Sequence, residues 1–257
     1  MNGIKLMETL FEWSPLTKST KSNDGLVYGN PEKNINKLAV CCIATIDVIN
    51  EAARWGADTI LTHEPTFHNY FENHKETEVY KRKLALLEEN NITVFRFHDN
   101  SHFTPKDRII EGVLRETGWK GEFDGNKKFT FESPVSVSEI YHSLEDKLNL
   151  SNIRFIGKGN EKLKTLSMCV GSWGPNYVFD ESLRDDIDGL VVGENCEWNL
   201  GEYIRDAVQL GIGKPLFILG HMGSEKDGMK YIADYLKDTL KETEVKYFDC
   251  GELFTSL

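Results

Sequence analysis

Short apolar runs alternate along the chain with longer amphipathic stretches, the pattern of strands feeding helices. Residues 38–46 (LAVCCIATI) are continuously apolar, which predicts a strand covered on both faces. Asp47 can cap a helix running to Trp55, with Gly56 as its stop, and a short strand over 59–62 then runs into His63. A helix follows over 76–90 with Val79, Leu84, Leu86 and Leu87 inward, and Lys81-Arg82-Lys83 read as its solvated face. Strand 92–97 delivers His98, and Thr104-Pro105-Lys106-Asp107 reads as the start of a helix ending near Gly118. Before these elements lie a short helix (3–12) and a polar, turn-rich stretch from Thr17 to Asn36.

The middle, 121–160, is more charged and less patterned, with one helix over 138–149, and it offers a natural boundary. A second α/β pass then runs through strand 166–170, a helix (180–185), strand 189–192, a helix (200–210) and strand 216–219. Ser224 can cap a long helix over 225–240, and strand 244–248 closes the chain. The passes resemble each other: GADTILTHE (56–64) parallels DIDGLVVGE (186–194), with Cys42 and Cys169 at similar distances upstream of Glu64 and Glu194. The expected architecture is α/β, with two similar three-layer lobes, 1–125 and 126–257, related by duplication.

Composition narrows the function classes. Forty per cent hydrophobic and 28% charged residues describe an ordinary globular chain rather than a disordered one. A net charge of −11 argues against nucleic acid or an anionic membrane as partner, but leaves a small phosphorylated substrate open, because a bound cation can dominate locally. There is no apolar stretch of about 18 residues and no signal-peptide pattern at the start. Five cysteines without a CxxC read as reduced thiols, so a cytoplasmic location is expected.

The chemistry collects at strand ends. ILT-HE (60–64), VFRF-HDNSH (94–102) and FIL-GHMGSE (217–225) share one design, an apolar strand entering a His-containing loop that leads to a helix. Four of the seven histidines lie in these loops, whereas His68, His74 and His142 fall in polar contexts. Imidazoles paired with carboxylates suit Zn, Mn, Fe or Co. Six candidate ligands, His63, Glu64, His98, His102, His221 and Glu225, exceed what one open site requires; shared between two ions about 3.5–4 Å apart, they leave room for a bridging water. Gly211-Ile212-Gly213-Lys214-Pro215 lacks the Ser/Thr of a phosphate loop and follows a helix, so it reads as a helix stop.

The segments DGLVYGN (24–30), AARWGADTILTHEPTF (52–67), FHDNSH (97–102), GENCEW (193–198) and GHMGSEKDG (220–228) together resemble, in this order, the Nif-three-like dinuclear metal-centre family, often labelled type-2 GTP cyclohydrolase I. The resemblance implies two α/β lobes with a two-metal site in the cleft between them, and a ring-shaped homo-hexamer. His63, His98, His221 and Glu225 match the family's ligand positions, with Glu225 as the bridging carboxylate. Two positions depart: Glu64 stands where the family has a second His, and His102 where it has an Asp. The donor inventory stays at four imidazoles and two carboxylates, which reads as a reciprocal swap that retains the metal. The competing reading turns Glu64 to solvent, makes His102 an ordinary loop histidine and loses one ion. Asp99 is an alternative carboxylate ligand, and Glu194, which matches a family Glu, is the candidate acid/base or a partner of a ligand.

The resemblance therefore implies two divalent ions as cofactors and a metal-dependent hydrolase acting on a small nucleotide-like or phosphorylated molecule. The alternative is a non-catalytic, metal-stabilised ring that recruits partners.

Overall fold

The apolar run 38–46 divides into a strand and the start of a helix. Strand β2 (Lys37–Cys41) ends five residues early because Thr45 caps helix α2 (Ile46–Trp55), its side chain accepting from Val48 N; Asp47 sits inside the first turn instead. Gly56 ends that helix in the left-handed conformation, as expected. The computed structural model describes residues 1–17, 22–68 and 75–254, so His74 lies outside the described residues.

Two compact units account for these residues. The first comprises Met1–Arg108 and Met229–Cys250. Its sheet has the order β1 (Gly25–Tyr28), β4 (Thr93–Arg96), β3 (Thr59–Thr62), β2 and β11 (Glu244–Tyr247), with every pair parallel except β1–β4. β2, β3 and β4 are buried almost throughout, which accounts for their apolar centres, Leu38 to Cys41, Ile60-Leu61 and Val94-Phe95. Helices α1 (Gly3–Trp13), α2, α3 (Glu78–Glu89) and the single turn α4 (Asp99–His102) belong here. The last strand was expected to close the second pass, and the first lobe to end at residue 125. Instead β11 pairs with β2, so the first unit is discontinuous in sequence.

The second unit runs from Ile109 to Gly228 and takes in the residues from Gly251 onward. Its sheet has the order β5 (Gly121–Phe123), β6 (Lys128–Ser136), β8 (Lys162–Cys169), β9 (Gly189–Val192), β10 (Leu216–Ile218) and β7 (Arg154–Ile156). β8, β9 and β10 are parallel, and the outer strands are antiparallel. The charged middle segment thus supplies three strands besides the expected helix α6 (Val137–Lys147), whose Ser136 and Glu139 form a capping box. Helix α5 (Arg108–Thr117) opens the unit, and α7 (Pro175–Ser182) and α8 (Glu202–Gln209) follow β8 and β9, with a π-helical turn at Glu197–Gly201. Helix α9 (His221–Thr239) starts earlier than expected, at His221 rather than after Ser224. No described helix is long and apolar enough to cross a membrane.

Both units start a central strand with the same device. Asp58 accepts from Asn36 N and Lys37 N at 2.9 and 3.2 Å, while its own N–H donates to Lys37 O. Asp188 accepts from Lys164 N and Thr165 N at 2.8 and 2.9 Å, and its N–H donates to Thr165 O. Each carboxylate locks the incoming strand beside its parallel neighbour, which fixes where β3 and β9 release the residues that follow.

Lys83 overturns the reading of α3. The inward face of the helix carries Lys83 and Leu87, whereas Val79 is exposed. Lys83 is 1% exposed; its ammonium donates to Thr66 O and lies 3.2 Å from His68 Nε2, and no carboxylate among the described residues pairs with it. Burial lowers its pKa from 10.5 to about 8. The folded-state value lies below the unfolded one, so the unfolded chain holds the extra proton between these values, and stability rises with pH across that window. Chemical denaturation of wild type and Lys83→Met from pH 7 to 11 should show this: their stability difference shifts toward wild type by about 3 kcal/mol on going from pH 8 to 10.5. A difference independent of pH would contradict it.

Candidate metal centre

The ends of β3 and β4 are tied together before any side chain is considered. Cys42 O, just past β2, accepts from His63 N at 3.1 Å and Glu64 N at 2.8 Å, and the Thr62 hydroxyl donates to the same carbonyl. Phe97 N donates to Thr62 O, and the buried Arg96 donates through Nε to His63 O at 2.9 Å. The next turn, α4, is gathered by one carboxylate from a distant segment. Asp24 accepts from His98 N (2.6 Å), Asp99 N (3.0 Å) and Asn100 N (2.7 Å), which satisfies donors at the helix start and suits its dipole. The Thr-Pro-Lys-Asp segment does not open a helix from Thr104; α5 begins at Arg108, and Asp107 turns to His102 instead.

Four site residues of the first unit converge. The rings of His63, His98 and His102 have centroids 4.5 to 5.0 Å apart, and one nitrogen from each lies within 4.8 Å of the others. Glu64 is buried, with Oε1 at 3.7 Å from His98 Nε2 and 4.0 Å from His63 Nε2. It therefore faces the imidazoles and not solvent, and His102 joins the cluster.

The protons on these rings decide what the cluster can do. His63 Nδ1 lies 3.1 Å from Phe97 O, and a carbonyl can only accept, so Nδ1 carries the proton and Nε2 the lone pair. His102 Nδ1 is 2.9 Å from Asp107 Oδ2, and His98 Nδ1 is 2.8 Å from Asp99 Oδ1. The Asp99 carboxyl is held down at about 2, chiefly by the His98 hydrogen bond and despite burial, so it stays an acceptor. It serves His98 from behind and is not placed as a ligand. His63 Nε2 and His102 Nε2 face each other at 3.2 Å. With both Nδ1 protonated, two lone pairs meet there unless a proton or a metal cation lies between them. Two nitrogens each about 2.0–2.1 Å from one ion are separated by roughly 2.9–3.4 Å at octahedral to tetrahedral angles, and the spacing fits.

The second unit repeats the arrangement. His221 Nδ1 is 2.6 Å from Glu194 Oε1, and its Nε2 is 3.3 Å from Glu225 Oε2, one turn further along α9. Glu194 also accepts from Ser172 Oγ at 3.0 Å. Gly171 N donates to Ser224 Oγ, which donates to His221 O, so the expected N-cap residue instead fastens the helix start from inside the first turn. Glu225 packs on Gly171: a β-carbon there would lie 2.0 Å from Oε1, and φ is +70°, so only glycine fits.

Residues 1–251 match the family model DUF34/NIF3, described as NGG1p interacting factor 3. The chain belongs to the DUF34/NIF3 family. Among curated relatives, a GTP cyclohydrolase 1 type 2 homolog of Clostridium perfringens is 24% identical over 235 residues, covering 88% of this chain and 86% of its own. One from Borreliella burgdorferi is 25% identical over 252 residues, covering 94% of each. A Staphylococcus aureus hypothetical protein of known structure, SA1388, superposes with a TM-score of 0.79 at 18% identity, covering 100% of this chain and 99% of that one, which shows a shared fold.

In this DUF34/NIF3 chain the residues that sequence reasoning missed are the supports. Asp24 was seen only as part of DGLVYGN, Asp107 only as a helix-start acid, and Arg96 only as part of VFRF-HDNSH. Of the histidines set aside, His68 meets Lys83, and His142 lies 3.3 Å from Glu145 on the surface. The support of His102 is testable. Asp107→Asn should keep the fold but lower affinity for zinc by about 10–100-fold in a chelator competition titration. Unchanged affinity would show that the Nδ1 contact does not orient the ring.

Proposed function

We propose that His63, Glu64, His98, His102, His221 and Glu225 together hold two divalent transition-metal ions, and that the protein is a metal-dependent hydrolase of a small nucleotide-like or phosphorylated substrate. The observation that carries this reading is the common orientation of the four imidazoles: each has Nδ1 against an oxygen acceptor, which leaves Nε2 as the donor atom. Neutral imidazole nitrogen with carboxylate oxygen suits Zn, Mn, Fe or Co. Glu225 is the bridging carboxylate by resemblance, and the names of the relatives support a GTP-like purine as one substrate to try.

When bound, such a pair of ions supplies Lewis acidity and lowers the pKa of a coordinated water toward neutrality. The chain's own residues do the positioning. Asp24 fixes the turn that presents His98 and His102, and Asp99 and Asp107 hold the ring protons behind them. Glu64 supplies negative charge among three imidazoles, consistent with a swap that keeps the donor inventory. Glu194, the expected acid/base, is best read as orienting His221. A ring-shaped oligomer belongs to the same reading. The family description, an interacting factor, favours a second one in which the metals stiffen a scaffold that recruits partners.

Elemental analysis of protein purified without chelators should return about two equivalents of transition metal per chain. Metal-dependent turnover should appear within a panel of nucleotides and phosphoesters and fall by more than about 100-fold in His63→Ala. Two bound metals with no turnover across the panel would favour the scaffold, and fewer than two would remove the paired site.

A further inference from the structure

Behind the loop that seats His63 and Glu64 lie two thiols the proposed hydrolase does not use. The parallel register of β2 and β11 brings Tyr247 opposite Val40, and Phe248 N donates to Val40 O at 2.8 Å, so the two chains leave the sheet side by side. Cys42 follows on one and Cys250 on the other. The Cys250 sulfur lies within hydrogen-bonding reach of the Cys42 side chain and of Ile43 N–H. These contacts, the Cys42 one foremost, pull the Cys250 thiol below its ordinary value against the effect of burial. Cys250 is part-exposed and Cys42 fully buried, the asymmetry of an attacking thiol and a resolving one. Cys41 makes the contrast: its sulfur turns to Leu61 O, and burial pushes it up to about 12.

We propose that Cys42 and Cys250 form a reversible intramolecular disulfide with low-molecular-weight disulfides as oxidant. The Cys250 thiolate attacks one sulfur of the oxidant; the oxidant's S–S bond breaks, a thiolate leaves, and a mixed disulfide remains on Cys250. The Cys42 thiol gives its proton to that departing thiolate, and its sulfur attacks the Cys250 sulfur, releasing the second small thiolate, which takes a proton from water. The cysteine pair loses two electrons, and one disulfide becomes two thiols. Because Cys42 O holds His63 N, Glu64 N and the Thr62 hydroxyl, the new bond fastens the segment on which two site residues are built.

The test uses the full chain, metal-loaded as purified, treated with oxidised glutathione, alkylated, digested and mapped by mass spectrometry. Accessible and buried thiols together should fall from five to three, with one linked peptide pair assigned by fragmentation to Cys42 and Cys250 and reversed by dithiothreitol. Cys42→Ser should stop at a glutathione adduct on Cys250, and Cys250→Ser should leave Cys42 unmodified. A stable adduct on Cys250 in the wild type, a link through Cys41, or an unreacted Cys250 would each overturn the proposal. The wild-type map decides even if a variant does not fold.

Discussion

A neutral imidazole has one lone pair to give and one proton to place, and the proton must have an acceptor if the ring is to be held. In this chain the acceptors stand on the Nδ1 side of four rings: a backbone carbonyl for His63, and carboxylates for His98, His102 and His221. That single constraint selects the tautomer, fixes the ring plane and directs Nε2 toward the other donors. Much of the local structure serves it. The carbonyl that holds His63 is that of Phe97, which is placed by the pairing of β3 with β4, and the carboxylates for His98 and His102 flank a turn that Asp24 gathers from far away in sequence. Without those supports the same residues would be four loop histidines.

How much of this could be read from the chain follows the same division. The three His-bearing loops were legible, because a buried parallel strand is an apolar run and its end is abrupt. The supports were not, because a carboxylate that accepts from a ring or from three backbone N–H groups has no periodicity to betray it. Asp107 read as a helix-start acid on the strength of Thr104-Pro105, a local signal that lost to a tertiary one. Lys83 was hidden for a related reason: helical spacing puts it on the face with Leu87, but two cationic neighbours in sequence made solvent the natural expectation. Strand β11 was misplaced because nothing in its own sequence says which sheet it completes.

The strand-start carboxylates Asp58 and Asp188 make the same contacts in each unit, and Glu64 and Glu194 follow at the ends of the strands they begin. This shared device supports a duplication behind the similarity of the two passes. The two units differ at this position: Glu64 faces imidazole Nε2 atoms, whereas Glu194 lies against an imidazole Nδ1. The close packing of Gly171 against Glu225 belongs to the same economy of space, since any side chain there would displace the carboxylate.

The claim that Nδ1 is reserved for support and Nε2 for metal is tested most directly by a crystal structure of the zinc-loaded protein with anomalous scattering data at the zinc edge. The account predicts density peaks bonded to Nε2 of His63, His98, His102 and His221, with Phe97 O, Asp99, Asp107 and Glu194 still on the Nδ1 side. Zinc bonded to any of those Nδ1 atoms, or no anomalous peak beside the four rings, would contradict it.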